Sequence, residues 1–336
     1  MDAGVAIAVG LALLFAFTNG VQDAANSIAT LVATRAGRPG PALAMATAGI
    51  LIGPFLLGSA VANTIAGIAD VEPSQTAEVV IAALAAALAW NIAAWYRGLP
   101  SSASHALVGG LVGASIAADG LDAVNWGGFD GWKPVGVATV LVALAVSPVL
   151  GAGAAFVVLR LLRRSLRRGT RRFTGPVRDA QWVMSALLSV GQGANDAQKA
   201  VGVITAVLLA EGKTSSLAAP LWTLVAVALA MGAGTALGGW RIVRTIGRRI
   251  YDLRPLDALA SETGSAAVIL GASLAGAPVS ATQVVASSVV GAGVGSKRWG
   301  RIRWEVVNEM AVAWLTTMPI TALLAAAALS TWRWLS

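Results

Sequence analysis

Three polar side chains interrupt the first apolar stretch of this sequence: Asn19, Asp23 and Asn26. Their spacing of i, i+4 and i+7 puts them on one face of a helix. The same spacing returns in Gln192, Asp196 and Lys199, an offset of 173 residues counted from Asp23 to Asp196. A charge at the centre of a membrane helix costs about 2.5–3.5 kcal/mol, so such a residue normally faces a cavity or a partner. One stripe of this kind would serve as helix–helix glue. Two stripes at matching places in a duplicated chain are expected to meet around a substrate or ion site. Asn19, Asp23 and Asn26, with Gln192, Asp196 and Lys199, are then the candidates for that site.

A second pair of motifs has the chemistry of an anion site. Pro100-Ser-Ser-Ala-Ser-His105 matches Pro278-Val-Ser-Ala-Thr-Gln283, an offset of 178 counted from Pro100 to Pro278. Proline suits the first turn of a helix, and serine or threonine suits its cap. Both motifs break apolar sequence, at Gly98-Leu99 and at Gly276-Ala277. Each reads as a broken or re-entrant helix at membrane depth, tolerated only where it lines a cavity. A helix start offers free N–H groups and the positive end of the dipole, which suits an anion and phosphate in particular. The hydroxyls of Ser101, Ser102, Ser104, Ser280 and Thr282 add donors. His105, the only histidine, reads either as a proton carrier or as an ordinary polar residue near a helix start; its repeat partner Gln283 cannot titrate.

The elements that position these residues follow from composition. The chain has 336 residues, 57% hydrophobic and 12% charged, with a mean hydropathy of +0.74. A soluble domain carries roughly 25% charged residues, so the expected solvent is the lipid bilayer. Apolar segments run about 3–34, 41–69, 77–96, 99–118, 134–160, 181–210, 217–240, 256–276, 278–296 and 304–330. The first reads as a membrane span and not as a cleaved leader, because Asp2 replaces a basic start and the stretch is too long. The net charge of +8 sits in loops between these segments. That distribution argues against nucleic-acid binding and marks cytoplasmic loops. The loops are Arg160 to Arg178, Arg241 to Arg254, Lys297 to Arg303 and, more weakly, Arg35 and Arg38. Counting crossings outward from them puts both termini outside and gives each half five membrane-embedded segments. Two similar halves with an odd count must be inserted in opposite directions, the plan of many secondary transporters. The expected fold is an all-α polytopic membrane protein of two inverted-topology repeats, 1–160 and 181–336, joined by a basic cytoplasmic linker, 161–180. Trp126, Trp132, Trp332 and Trp334 flank apolar runs as interfacial anchors. With no cysteines, neither disulfides nor thiolate metal sites arise, and no cofactor is expected.

The sequence resembles the inorganic phosphate transporter (PiT) family, on Asn19-Gly-Val-Gln-Asp-Ala-Ala-Asn26, Gly193-Ala-Asn-Asp-Ala-Gln-Lys199 and the two Pro-Ser motifs. The resemblance spans almost the whole chain. It implies a cell-membrane symporter that binds phosphate and a coupling cation through Asp23, Asn26, Asn195, Asp196, Ser102, Ser104, Ser280 and Thr282, and it implies a homodimer. Gln22, Lys199 and Gln283 depart from the family pattern. Lys199 is the telling one: an ammonium there would fill a cation site permanently, or pair with phosphate, and it points to a proton rather than Na+ as the coupling cation. The same architecture carrying sulfate or a metal–phosphate complex is the alternative. A remote one is an intramembrane aspartic protease using Asp23 and Asp196 as a dyad.

Overall fold

The computed structural model describes residues 3–130, 133–166 and 174–335. Among these, twelve α-helices and one short β-hairpin (Gly128–Asp130 with Lys133–Val135) are found. The helices fall into two sets of equivalent elements. Long α1 (Ala3–Ala33) corresponds to α7 (Thr174–Ala210). The pair α2 (Pro39–Ile52) and α3 (Ala60–Ala66) corresponds to α8 (Leu221–Leu237) and α9 (Trp240–Arg244). Then α4 (Pro73–Arg97), α5 (Ala103–Asp119) and α6 (Gly136–Ser165) correspond to α10 (Pro255–Leu274), α11 (Ala281–Gly295) and α12 (Trp304–Leu335).

Close contacts confirm the correspondence, because they come in exchanged pairs. A side chain at Gly20 of α1 would meet the Met231 carbonyl of α8 at 2.1 Å, and one at Gly193 of α7 would meet the Ile50 carbonyl of α2 at 2.5 Å. At Gly113 of α5 it would meet the Ala322 carbonyl of α12, and at Gly291 of α11 the Ala152 carbonyl of α6, each at 2.0 Å. Only glycine permits backbones this close, the usual device of helix packing in lipid. Each short helix of one half is therefore held by the last helix of the other. Helices α1 and α7 run antiparallel, since Ser27 faces Gln192 and Thr34 faces Gln181. Equivalent helices pointing in opposite directions make the repeats inverted, as the charge pattern predicts.

Among the described residues, four helices are by length and composition fit to cross a membrane: α1, α4, α6 and α12. The number rises to six when each bent pair is taken as one span. Two expectations are corrected here. The segments 41–69 and 217–240 read as continuous, but α2 and α3 meet at 75°, and α8 bends by 58° into α9 and a following π-helical turn. The bend carries Arg241, Arg244, Arg248 and Arg249 into a helix whose apolar side, Ile242, Val243 and Ile246, is buried against α1, so this basic stretch is not a free loop. The breaks fall at 56–59 and at Gly238-Gly239, where Gly58 (φ 70°) and Gly238 (φ 73°) take the left-handed conformation that turns the chain. Helix α6 also runs to Ser165 and α7 starts at Thr174, which leaves less non-helical linker than 161–180. Arg167, Arg168, Arg171, Arg172 and Trp132 lie outside the described residues.

Two large apolar cores result, with a small third one of Ala155, Leu159, Ala260 and Ala292. One packs the first half of α1 (Val5 to Ala16) with α4, α5 and the second half of α7. The other packs the second half of α1 (Ala25 to Leu31) with α2, α10, α11 and Leu188 of α7. The stripes Asn19 to Asn26 and Gln192 to Asp196 lie between them.

Candidate substrate and ion site

Helices α4 and α5 form a hairpin, and so do α10 and α11. Both first helices end on a glycine in the left-handed region, Gly98 (φ 66°) and Gly276 (φ 70°), the usual helix stop. After the turn, Ser102 starts α5 by accepting the His105 N–H (3.2 Å), and Ser280 starts α11 by accepting the Gln283 N–H (3.4 Å). The Pro-Ser motifs thus form helix N-termini inside the protein, as their sequence predicts. The bent helix of the opposite half grips each tip: Thr245 donates to the Gly98 carbonyl (2.9 Å), and Thr64 to the Gly276 carbonyl (3.1 Å). The two tips touch, with the Ser104 hydroxyl donating to the Val279 carbonyl at 3.2 Å.

The polar stripes meet these tips in an exchanged pattern. Asn26 of α1 donates to Thr282 of α11 (3.1 Å) and to Asp23 (3.3 Å). Its counterpart Lys199 of α7 donates to Ser104 of α5 (2.6 Å), to the Val279 carbonyl (2.8 Å) and to Asp196, with which it forms an ion pair. Asn195 is turned away to Ser273 (3.1 Å) and the Ala277 carbonyl (3.2 Å), which brace the second tip from behind. Asp23, Asp196 and Lys199 are all buried, and Asp23 feels the charge of both of the others. Because Lys199 engages Asp196, the two carboxylates do not share a proton as a protease dyad would.

Several buried polar atoms at this centre have no protein partner: Asp23 Oδ2, Asn26 Oδ1, Asp196 Oδ2, Asn195 Oδ1, Asn19 Nδ2 and Gln192 Nε2. Buried polar atoms are nearly always hydrogen-bonded, so a concentration of exceptions between two helix N-termini marks a place built for something else. Ser101 stands slightly apart, its hydroxyl accepting from Trp90 Nε1 at 2.8 Å. His105 keeps a buried, unpartnered Nδ1 in the first turn of α5.

The sequence profile of the phosphate transporter family matches residues 19–177 and 167–325. The chain belongs to the phosphate transporter family. It is a multi-pass membrane transporter and not an enzyme. Among its relatives, a probable low-affinity inorganic phosphate transporter of Mycobacterium tuberculosis (strain CDC 1551 / Oshkosh) is 44% identical over 323 residues, covering 95% of this chain and 75% of that protein. Proteins of the same description from Bacillus subtilis (strain 168) and Rhizobium meliloti (strain 1021) are 38% and 39% identical, covering 94% and 97% of this chain and 93% and 97% of their own lengths. A solved structure described as the sodium-dependent phosphate transporter superposes with a TM-score of 0.83 at 23% identity, covering 99% of this chain and all of that one. That likeness shows the fold.

Sequence reasoning about this family member missed part of the site. Val279 enters through its backbone carbonyl, which no residue pattern announces. Ser27 and Thr30 also join the site, together with Glu262 of α10. Ser27 donates to Gln192, Thr30 donates to Glu262 at 2.7 Å, and Thr34 donates to Gln181 at 2.9 Å. Together they extend the polar centre along the seam of α1 with α7 and α10. The available signal was Glu262 itself, an acid in the middle of the apolar run 256–276.

Proposed function

We propose that this chain carries inorganic phosphate across the cell membrane as a symporter, with a proton as the coupling cation. The observation that carries the reading is the exchanged pair of contacts, Asn26 to Thr282 and Lys199 to Ser104, at two converging helix N-termini. The N–H groups of the first turns of α5 and α11, the Ser104 and Thr282 hydroxyls and the Lys199 ammonium are donors suited to a phosphate oxyanion. The names of the relatives support phosphate as the cargo.

Charge bookkeeping argues for symport. The centre holds two carboxylates and one ammonium, so a buried phosphate anion adds negative charge to a site that is already negative. An uncompensated buried charge is costly, and an accompanying cation removes that cost. The choice of cation rests on Lys199. Its ammonium already sits among a carboxylate, a hydroxyl and a carbonyl, the oxygen set that a hard metal cation would need. The equivalent position beside Asp23 has Asn26 in place of the lysine and offers Asp23 Oδ2 and Asn26 Oδ1 as free acceptors. Two free oxygens suffice for a proton and are few for a metal ion. Asp23 is therefore the proton carrier in this reading. Ser102 and Ser280 set the helix starts, Asn19 and Gln192 line the way to the carboxylates, and Asn195 braces the second tip. The positive-inside rule supports basic loops in the cytoplasm and both termini outside, with repeats 1–160 and 181–336 moving against each other.

The test is radiolabelled phosphate uptake into proteoliposomes under an imposed pH gradient, with choline or Na+ outside, and with sulfate as competitor. Uptake driven by the pH gradient in choline, and unaffected by excess sulfate, is the expected result. Uptake that requires Na+ would transfer the coupling role from the proton to sodium. Equal inhibition by sulfate would end the phosphate assignment.

A further inference from the structure

We propose that the groove between α4 and α12 binds an anionic phospholipid from the leaflet that the basic loops face. The groove encloses about 720 Å³, and its lining is graded along its length. One end carries Arg97, Arg249, Asn308 and Glu309; the wall then turns mainly apolar through Ala94, Val312 and Ala313 to Ile320, and the Thr316 hydroxyl within it is turned back onto the Val312 carbonyl. From Asn308 to Ile320 helix α12 rises about 18 Å, close to half of the ~30 Å hydrocarbon core. A groove one leaflet deep, cationic at the headgroup level and apolar below it, fits an acidic lipid whose phosphate lies at the arginines and whose chain follows α12.

Charge complementarity at the rim supports the choice of lipid. Arg97 and Arg249 are exposed, and Glu309 offsets one of them through an ion pair with Arg249 at 3.6 Å. Next to the rim, Arg241 stacks over Trp95 and Tyr96, 5.3 and 4.9 Å from their ring centres. An arginine on aromatic rings is an interfacial anchor, which fixes this end of the groove at the membrane surface. Basic pockets between helices at such a surface hold acidic headgroups.

The position also gives the lipid a lever on transport. Leu99 and Trp90 line the same groove. Trp90 donates to Ser101, and Trp314, beside Ala313, donates to the Pro100 carbonyl at 2.8 Å. A lipid seated here packs against the residues that hold the first hairpin tip.

Quenching of Trp90 by brominated lipid tests the proposal. The difference between the wild type and Trp90→Phe isolates this one tryptophan among twelve. Dibrominated phosphatidylglycerol or dibrominated phosphatidylcholine is titrated into phosphatidylcholine vesicles holding the protein. One net arginine at the rim should give the glycerol lipid about a fivefold preference. Arg97→Gln with Arg249→Gln should remove that preference, the paired Lys variant should keep it, and Glu309→Gln alone should raise it about fivefold again. Equal quenching by both lipids in the wild type would overturn the site, and so would a preference that survives the double Gln variant or that Glu309→Gln leaves unchanged. Loss of the preference in excess inorganic phosphate would overturn it as well, by showing a site for the free anion.

Discussion

Replacing Lys199 by asparagine would give the second half the residue that the first half carries at Asn26. The change deletes the ammonium that holds Asp196, Ser104 and the Val279 carbonyl together. Lys199 and Asp196 are both buried, so the variant leaves a carboxylate without its counter-charge, a loss of about 3–5 kcal/mol when one partner of a buried pair is removed. Two things can restore balance. Neutralising the partner as well, in Asp196→Asn with Lys199→Asn, removes the orphaned charge. The double-mutant cycle should then show a coupling energy of up to about 3 kcal/mol. Alternatively, a small cation can take the vacated place. Sodium at a hundred times its Kd would return about 2.7 kcal/mol.

The assay is thermal unfolding of purified Lys199→Asn in NaCl and in choline chloride, paired with phosphate uptake in proteoliposomes under the same salts. The wild type should melt at the same temperature in both. Lys199→Asn should melt lower in choline, recover part of the loss in sodium, and take up phosphate only with sodium. A variant as stable as the wild type in choline would refute the claim that Lys199 is an internal cation. Sodium stabilising the wild type and the variant equally would refute it too, because the lysine would then not be occupying the sodium position.

Asp196→Asn should abolish phosphate uptake while the protein still inserts; normal uptake, measured against membrane-inserted protein by surface labelling, would remove the central site from the reasoning. Gly113→Leu and Gly291→Leu should each eject the crossed-over helix, α12 or α6, because even the first side-chain carbon would come within 2.0 Å of a carbonyl; both should lose the monodisperse peak in size-exclusion chromatography, and tolerance of either would contradict the packing. Tyr251, buried just before α10, has its phenol pushed above its ordinary range, mainly by burial and next by the Asp257 carboxylate. The stability it contributes is present below the unfolded pKa of about 10 and is lost as pH rises through the folded value, so the alkaline melting curve of Tyr251→Phe should fall less steeply than that of the wild type.

Much of the fold was legible because two kinds of signal agreed. Apolar runs of bilayer length set the segments, and arginine-rich gaps set their direction. The matched stripes and matched Pro-Ser motifs then required two copies facing opposite ways. The bends were harder to see. The turns at 56–59 and at Gly238-Gly239 break α2–α3 and α8–α9 without a charged residue, so a hydropathy reading runs straight through them. The site was legible to the extent that it uses side chains with unusual cost. Asp23, Asp196 and Lys199 stand out because burying charge in a membrane helix is expensive. Val279 acts through its carbonyl and Ser273 through an ordinary hydroxyl, and neither differs in sequence from dozens of structural residues. The crossed attachment of α6 and α12 to the opposite half was also invisible, since Gly113 and Gly291 show their meaning only with a carbonyl beside them.

The backbone is close to two-fold symmetric, while the charges are not. Gripping threonines, glycine stops, serine caps and tight glycine contacts all occur in exchanged pairs, so the scaffold itself prefers neither side of the membrane. The site breaks that balance at one position, Asn26 against Lys199. The seam leading from the centre breaks it again: Thr30 and Glu262 line it, whereas Val203, which corresponds to Thr30, lies in an apolar core with Ala87 and Leu84 of α4. A symmetric scaffold can alternate between two openings at little cost in free energy, because each opening repeats the contacts of the other. Direction and coupling must then come from the asymmetric residues. Lys199 pairs with Asp196, and Asp23 has no such partner beside it, which is why the proposed cycle assigns the coupling proton to Asp23.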